Sequence, residues 1–288
     1  MSKILTTLSL FAATAGVAYA AGGHQLTPES NAVVGSRETG FAITNSMIMV
    51  WLATGIIILF CQAATKKMSM VPAGFQNFAE WLIESLYNFF EGILGTHLVK
   101  RTFWFFGGTF LLILISNWLG LIPGVGTVGI EGDDGHVTFL LRGGNADVNV
   151  TAAMSVVFAV LWFYWAITEN GAQGFLAHIF APKGKFSGAM RVGMIVIFFV
   201  VGILEVVSIF IRPVALSFRL YGNVFGGEQV LETLMAMGGT YLAFLPALPF
   251  MFMELLVGLL QALVFTILSA VFLKLICEHD DHDEEHAH

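Results

Sequence analysis

The sequence predicts an all-α polytopic membrane protein: about five to six membrane helices, an interfacial amphipathic helix, and a last pair of helices forming a long, strongly tilted hairpin. Three observations carry that class. Hydrophobic residues make up 57% of the 288 positions. Charged residues make up 11%, against about 25% in an ordinary soluble domain. The apolar residues gather in runs of about twenty, the length that crosses a hydrocarbon core of roughly 30 Å. A soluble globule of this size needs more polar surface than the chain supplies, so a cytosolic enzyme and a nucleic-acid binder are excluded. The net charge of −7 says little about partners, because six of the 20 acidic residues lie in the last eleven positions, EHDDHDEEHAH. Cys61 and Cys277 are too few for a disulfide framework and have no metal-ligand spacing. Both read as inert packing residues.

The elements follow in order. Residues 1–20, MSKILTTLSLFAATAGVAYA, have an early Lys3, a short apolar stretch and the ending Ala18-Tyr19-Ala20. That is the form of a cleaved secretory signal peptide, and it puts residues 21–42, a polar and Gly-rich segment read as poorly ordered, outside the cytoplasm. Residues 43–276 form one membrane domain. Residues 43–64 are a first span, closed by Lys66-Lys67. In residues 72–95, Glu80, Glu84 and Glu91 share one helical face among Trp81, Leu82, Leu86, Phe89 and Phe90, the pattern of a helix lying in the interface. Residues 103–122, 148–168 and 192–210 are further spans. Residues 125–147 form a polar loop. Lys66, Lys67, Lys100, Arg101, Lys183, Lys185 and Arg191 fall on one side and Arg37 and Arg142 on the other. The basic excess marks the cytoplasmic side and leaves the mature N-terminus outside. Residues 241–276 would be about 54 Å long as a helix, too long for an upright span. A steeply tilted hairpin fits, with irregular geometry expected around Pro246 and Pro249. Residues 277–288 read as a disordered, solvated cytoplasmic tail.

Ionisable groups at membrane depth are functional candidates by default. Residues 192–237 hold Glu205, Arg212, Arg219, Glu228 and Glu232, and the last helix holds Glu254 and Gln261. Arginine keeps its proton under cellular conditions, so Arg219 is a fixed positive charge and no relay. At about 100° per residue, Ser208, Arg212, Ala215, Asn223 and Gly226 fall within about 40° of Arg219, and Glu228 lies about 180° away. The helix therefore has two working faces. One presents Arg219 beside small residues that admit a closely packed partner. The other turns Glu228 inward, where Glu254 is a companion in a hydrated pocket. Glu205 has Arg212 seven residues on along the same face.

At RPVALSFRLYGNVFGGE, residues 212–228, the sequence resembles the a subunit of the F-type ATP synthase, the stator part of its proton channel. Ala215-Leu216 stands where that family usually has Ser-Leu. Four further segments agree: residues 117–124, NWLGLIPG; residues 146–151, ADVNVT; residues 260–262, LQA; and Glu254, seven residues before Gln261, where the family has His or Glu. The resemblance covers residues 40–276. It implies that Arg219, Glu228, Glu254, Asn223 and Gln261 serve proton translocation, with Glu205, Arg212 and Asp147 supporting them. It further implies two half-channels, coupling to rotation of a c-ring, contacts with b-type peripheral stalk subunits and indirectly with the F1 sector, no cofactor, no nucleic acid, no small-molecule substrate but protons, and no catalysis by the chain alone. The signal-like start points to a bacterial inner membrane. An autonomous secondary transporter would show an internal repeat, which the sequence lacks. A passive scaffold leaves Arg219 and the deep acids unexplained.

Other patterns are discounted. Residues 124–129 spell G-x-G-x-x-G, but they follow Pro123 and an apolar span with no βαβ unit. Residues 149–151 are a glycosylation sequon by spelling only. His279, His282, His286 and His288 belong to a solvated tail. His97, His136 and His178 have no partner spacing.

Overall fold

A computed structural model describes residue 30 and residues 32–36, 41–66, 68–72, 74–122, 125, 129–131, 137–139, 141–180, 189–237 and 244–277. The order is β1 (Ala32–Ser36), β2 (Phe41–Thr44), α1 (Asn45–Thr65), α2 (Phe75–Gly120), β3 (Gly129–Glu131), β4 (Val137–Phe139), a 3₁₀ turn (Gly144–Ala146), α3 (Val148–Phe180), α4 (Ala189–Met237) and α5 (Phe244–Cys277). Among these residues five helices are long and apolar enough to cross a membrane. The all-α polytopic class is therefore observed. The signal-like residues 1–20, the tail 278–288, Arg37, Lys67, Lys183, Lys185, His136 and most of the G-x-G-x-x-G stretch lie outside the described residues.

Local chemistry sets the helix limits. The Thr44 side chain caps α1 by accepting from the Met47 backbone N–H at 3.3 Å, satisfying one of the orphan donors of a helix start. Beyond the cap, Trp51, Ile58 and Leu59 are exposed, as lipid-facing side chains are. α2 contains the expected interfacial helix and the following span, separated at Gly95 (φ 79°, ψ 164°). Gly171 (φ 71°, ψ 159°) breaks α3 in the same way, at the end of the apolar stretch Val148–Gly171. Both positions need positive φ, which a Cβ opposes.

The structure corrects four expectations. Residues 32–36 and 41–44 pair as antiparallel strands, with Ala32 opposite Thr44 and Ser36 opposite Phe41, because Ala-Val-Val and Phe-Ala-Ile-Thr carry the β-branched and aromatic residues that favour strands. The polar loop 125–147 holds a second antiparallel pair, β3–β4. α5 runs as helix through Pro246 and Pro249 where irregular geometry was expected. Pro246 is in the first turn, where its missing N–H has no intrahelical partner in any case. Pro249 removes only the bond to the Leu245 carbonyl. Finally, Cys277 is buried but Cys61 is exposed, so only Cys277 is a packing residue.

The core lies where α2, α3 and α5 meet, with Phe90, Phe106, Ile113, Phe265 and Leu273 fully buried. Aromatic rings fill the α2–α3 seam: Phe105 meets Trp165 edge-on at 5.8 Å and Phe158 stacked at 6.3 Å. Two side-chain donors tie α3 to carbonyls near the end of α5: Trp162 Nε1 to Phe272 at 3.0 Å and Asn170 Nδ2 to Ile276 at 2.7 Å. In lipid, where apolar burial drives little association, such bonds fix helix register. α4 packs on α3 and α5, and its other side leaves Leu204, Phe210, Ile211, Val214 and Phe218 exposed.

The glycine break yields a stability test. A Cβ added at Gly95 or at Gly92 would meet open space, but Gly95 has positive φ whereas Gly92 lies within a regular helix turn. Gly95→Ala should lower stability by about 1–2 kcal/mol, and Gly92→Ala should raise it by up to about 1 kcal/mol. Unfolding by SDS in mixed micelles measures both. Equal effects of the two substitutions would contradict the backbone argument.

Candidate functional site

The deep polar residues of α4 divide between two faces. On the inward face, Asn223 and Glu228 join Glu254 and Gln261 of α5, Asn117 of α2 and Gly143 of the loop in lining one cavity. Its volume is about 20 Å³, room for water beside several polar partners. Asn223 Nδ2 donates to Gln261 Oε1 at 2.6 Å. Among the described residues Gln261 Nε2 is buried without a hydrogen-bond partner, a donor left for water. Asn117 Nδ2 donates to the Gly258 carbonyl at 3.1 Å, and Asn117 Oδ1 accepts from Asn145 Nδ2 at 2.7 Å. This chain of amides fixes the end of α2 to α5 and to the 3₁₀ turn.

Two glycines determine where the carboxylates sit. A Cβ on Gly143 would collide with Glu228 Oε1, and one on Gly227 would collide with the Glu254 carboxylate. Gly227 thus lets Glu254 lie against the α4 backbone, one residue from Glu228, and the two acids share one cavity as the sequence suggested. Glu254 is 8% exposed. Arg142 Nε stands 3.6 Å from Glu228 Oε2, and the guanidinium lies 5.9 Å from the centre of the Phe225 ring.

On the outward face Arg219 is exposed, together with Ala215 and Gly222, while Asn223, also exposed but hydrogen-bonded into the cavity, stands at the edge between the two faces. Among the described residues Arg219 forms no ion pair. Further along α4, Arg212 Nη2 donates to Glu205 Oε1 at 2.8 Å, the pairing their spacing predicts, and Arg212 also stands over the Phe272 ring at 4.9 Å. Those two charges answer each other within the chain.

Asp147 is not among the cavity-lining residues. It is 2% exposed and accepts hydrogen bonds from Ser30 Oγ, from Ser46 Oγ at 2.7 Å and from the Asn149 backbone at 2.9 Å. Burial pushes its carboxyl upward, but the bonds from Ser30, Ser46 and Asn149 outweigh that and hold it below the usual carboxylate range. The aspartate staples the segment before β1 and the start of α1 to the start of α3. Sequence reasoning missed Arg142 as a site residue, counting it only as an orientation mark. The available signal was that it is the sole lysine or arginine between Arg101 and Lys183. His97, expected to lack a partner, has Nδ1 3.9 Å from Glu169 Oε2, while Arg101 Nη1 donates to Glu169 Oε1 at 2.6 Å. Packing of α2 against α3 brings them together across a separation in sequence that no spacing rule covers.

With this geometry in view, comparison with known proteins is specific. Residues 47–274 match the family model described as ATP synthase A chain. Three similar proteins are each named ATP synthase subunit a. The one from Anaeromyxobacter sp. is 28% identical over 84% of this chain and 56% of its own length. That from Gloeobacter violaceus is 29% identical over 82% and 85%, and that from Solidesulfovibrio magneticus is 29% identical over 82% and 86%. The chain thus spans little more than half of the first relative and most of the other two.

The Asp147 staple is testable by pH. A carboxyl group held below its unfolded value stabilises the fold above about pH 4, and that contribution is lost as pH falls through the folded value. Asp147→Asn should cost about 1.5–3 kcal/mol at pH 7 and flatten the acid limb of mixed-micelle unfolding, followed downward from neutral pH through the carboxylate range. An acid limb unchanged by the substitution would show that the staple contributes nothing.

Proposed function

The chain belongs to the ATP synthase A chain family, and from that premise we propose that it is the stator subunit of the proton channel in the Fo sector of an F-type ATP synthase. The observation that carries the proposal is the division of charge on α4. A fixed cation, Arg219, sits on a face left uncovered by the described residues, and two carboxylates, Glu228 and Glu254, line a polar cavity on the other side. A lone arginine at membrane depth is costly, about 2.5–3.5 kcal/mol on insertion scales and more in simulations. A rotor of small subunits, each carrying one carboxylate, is the partner that relieves it.

In this reading a proton enters from the outer side through a half-channel and passes by way of Glu228 and Glu254, with Asn223 and Gln261 as polar supports. It neutralises a carboxylate of the c-ring, which then rotates into lipid uncharged. After nearly a full turn the carboxyl group releases the proton into a second half-channel open to the cytoplasm. Arg219 cannot release its own proton. It therefore attracts the bare ring carboxylate and blocks a direct leak between the half-channels. Each charge crossing is worth about 2.3 kcal/mol per 100 mV, and one turn adds many crossings into torque. The catalytic chemistry belongs to the F1 sector. This chain is a multi-pass component of a bacterial inner membrane, with its N-terminus outside and its C-terminus in the cytoplasm. The peripheral stalk holds it still against the ring. Glu205 and Arg212, which answer each other's charge, support α4 on the N-terminal side of Arg219.

The test uses the assembled complex in liposomes. Arg219→Ala should reduce ATP-driven proton pumping to background while the complex still assembles, and undiminished pumping would overturn the proposal. Glu228→Gln and Glu254→Gln should each slow pumping, and the double substitution should slow it by about 10²-fold or more. Pumping unaffected by the double change would remove both carboxylates from the path.

A further inference from the structure

We infer that Arg142 is a positioning residue for proton entry: it is the fixed counter-ion that aims the Glu228 carboxylate into the cavity shared with Glu254 and sets the acidity at which that half-channel works. The inference rests on the proton-channel reading above. Arg142 belongs to the segment between β4 and the 3₁₀ turn, yet it is 7% exposed. A guanidinium outside the helices and so near water is buried only when something inside receives it. Among the described residues the receivers include two on one α4 face, three positions apart. Glu228 Oε2 lies 3.6 Å from Nε, and the Phe225 ring, itself stacked on Tyr221 at 5.2 Å, lies beneath the guanidinium at 5.9 Å. The next residue, Gly143, closes on the other carboxylate oxygen so tightly that no Cβ fits. Two consecutive loop residues thus stand against the two oxygens, Arg142 Nε as an ion pair without a hydrogen bond and Gly143 by close approach.

That loop is itself anchored. Asn145 Nδ2 donates to Asn117 Oδ1 at 2.7 Å and to the Ile113 carbonyl at 3.4 Å, and Asp147 ties down the loop's far end. The charged and titratable groups around Glu228 are Arg142 from the loop, Glu254 from α5, and Glu232 and Tyr221 on α4. α2 presents only the neutral Ser116 and Asn117 as polar side chains to the cavity. Arg142 is therefore the one cation among these described neighbours. A cation this close attracts an ionised carboxylate far more than a protonated one, so Arg142 couples the position of the Glu228 carboxylate to its protonation. Because arginine does not titrate in this range, it does so at every working pH.

The test measures ATP synthesis by the complex in liposomes at constant driving force while the entry-side pH is varied. Arg142→Gln should move the pH profile upward by about one unit or more, and Arg142→Lys should restore most of it. In a Glu228→Gln background, Arg142→Gln should move the profile no further. An unmoved profile, or an equal shift in both backgrounds, would overturn the inference. If Arg142→Gln alone fails to assemble, adding Glu228→Gln should rescue assembly by removing the orphaned carboxylate, and failure of both variants alike would also overturn it. The two readings fail separately. Normal synthesis in Glu228→Gln alone would sink the channel role of Glu228, whereas an unmoved Arg142→Gln profile beside a dead Arg219→Ala complex would sink only the role of Arg142.

Discussion

An ionised group at membrane depth needs an opposite charge, water or a protein partner beside it. The architecture of this chain is largely a set of answers to that requirement. Glu205 and Arg212 answer each other within one helix at 2.8 Å. Glu228 is answered by Arg142, brought in from the segment between β4 and the 3₁₀ turn. Glu254 is set against Gly227 in a cavity with room for water. Arg219 is the exception, held out on an exposed face with Ala215 and Gly222 beside it. Among the described residues this charge is left unanswered, flanked by small side chains, and it is on that face that the proposed rotor would pack.

The same requirement explains the irregular parts. The loop containing Arg142 and Gly143 has to enter the bundle to reach Glu228, and its buried polar side chains demand hydrogen bonds. The Asn145–Asn117–Gly258 chain and the Asp147 staple supply side-chain partners there. The staple also draws Ser30 and Ser46 in, so the strand pair β1–β2 between them is held against the same end of the bundle. Polar satisfaction of one buried loop thus links the N-terminal segment, α1, α2 and α3 around the cavity.

Much of this was legible in the sequence because it depends on local periodicity. Apolar runs of span length located the helices, and a three-glutamate face marked the helix that Gly95 ends. A rotation of about 100° per residue separated the Arg219 face from the Glu228 face, and a seven-residue spacing paired Glu205 with Arg212. What was not legible depends on contacts distant in sequence. Arg142 reads as a loop charge until folding sets it beside Glu228. His97 reads as isolated until α3 carries Glu169 to it. The prolines of α5 read as breaks because propensity cannot weigh first-turn placement and neighbouring helices against one lost bond. The strand pair at 32–44 was hidden by the polar, Gly-rich composition around it.

The central claim is that α4 turns its fixed cation outward to the rotor and its carboxylate inward to the cavity. Site-directed cross-linking in the assembled complex tests it most directly. Single cysteines at Ala215 and Gly222, which are exposed beside Arg219, are compared with cysteines at Leu216 and Leu220, which are 2% and 0% exposed, in a background lacking Cys61 and Cys277. Cysteines at the first two positions should form cross-links to cysteines placed on the ring helix that bears the carboxylate, and those at the second two should not. Efficient cross-links from Leu216 and Leu220, with none from Ala215 and Gly222, would mean that the helix faces the ring with its other side and would contradict the account.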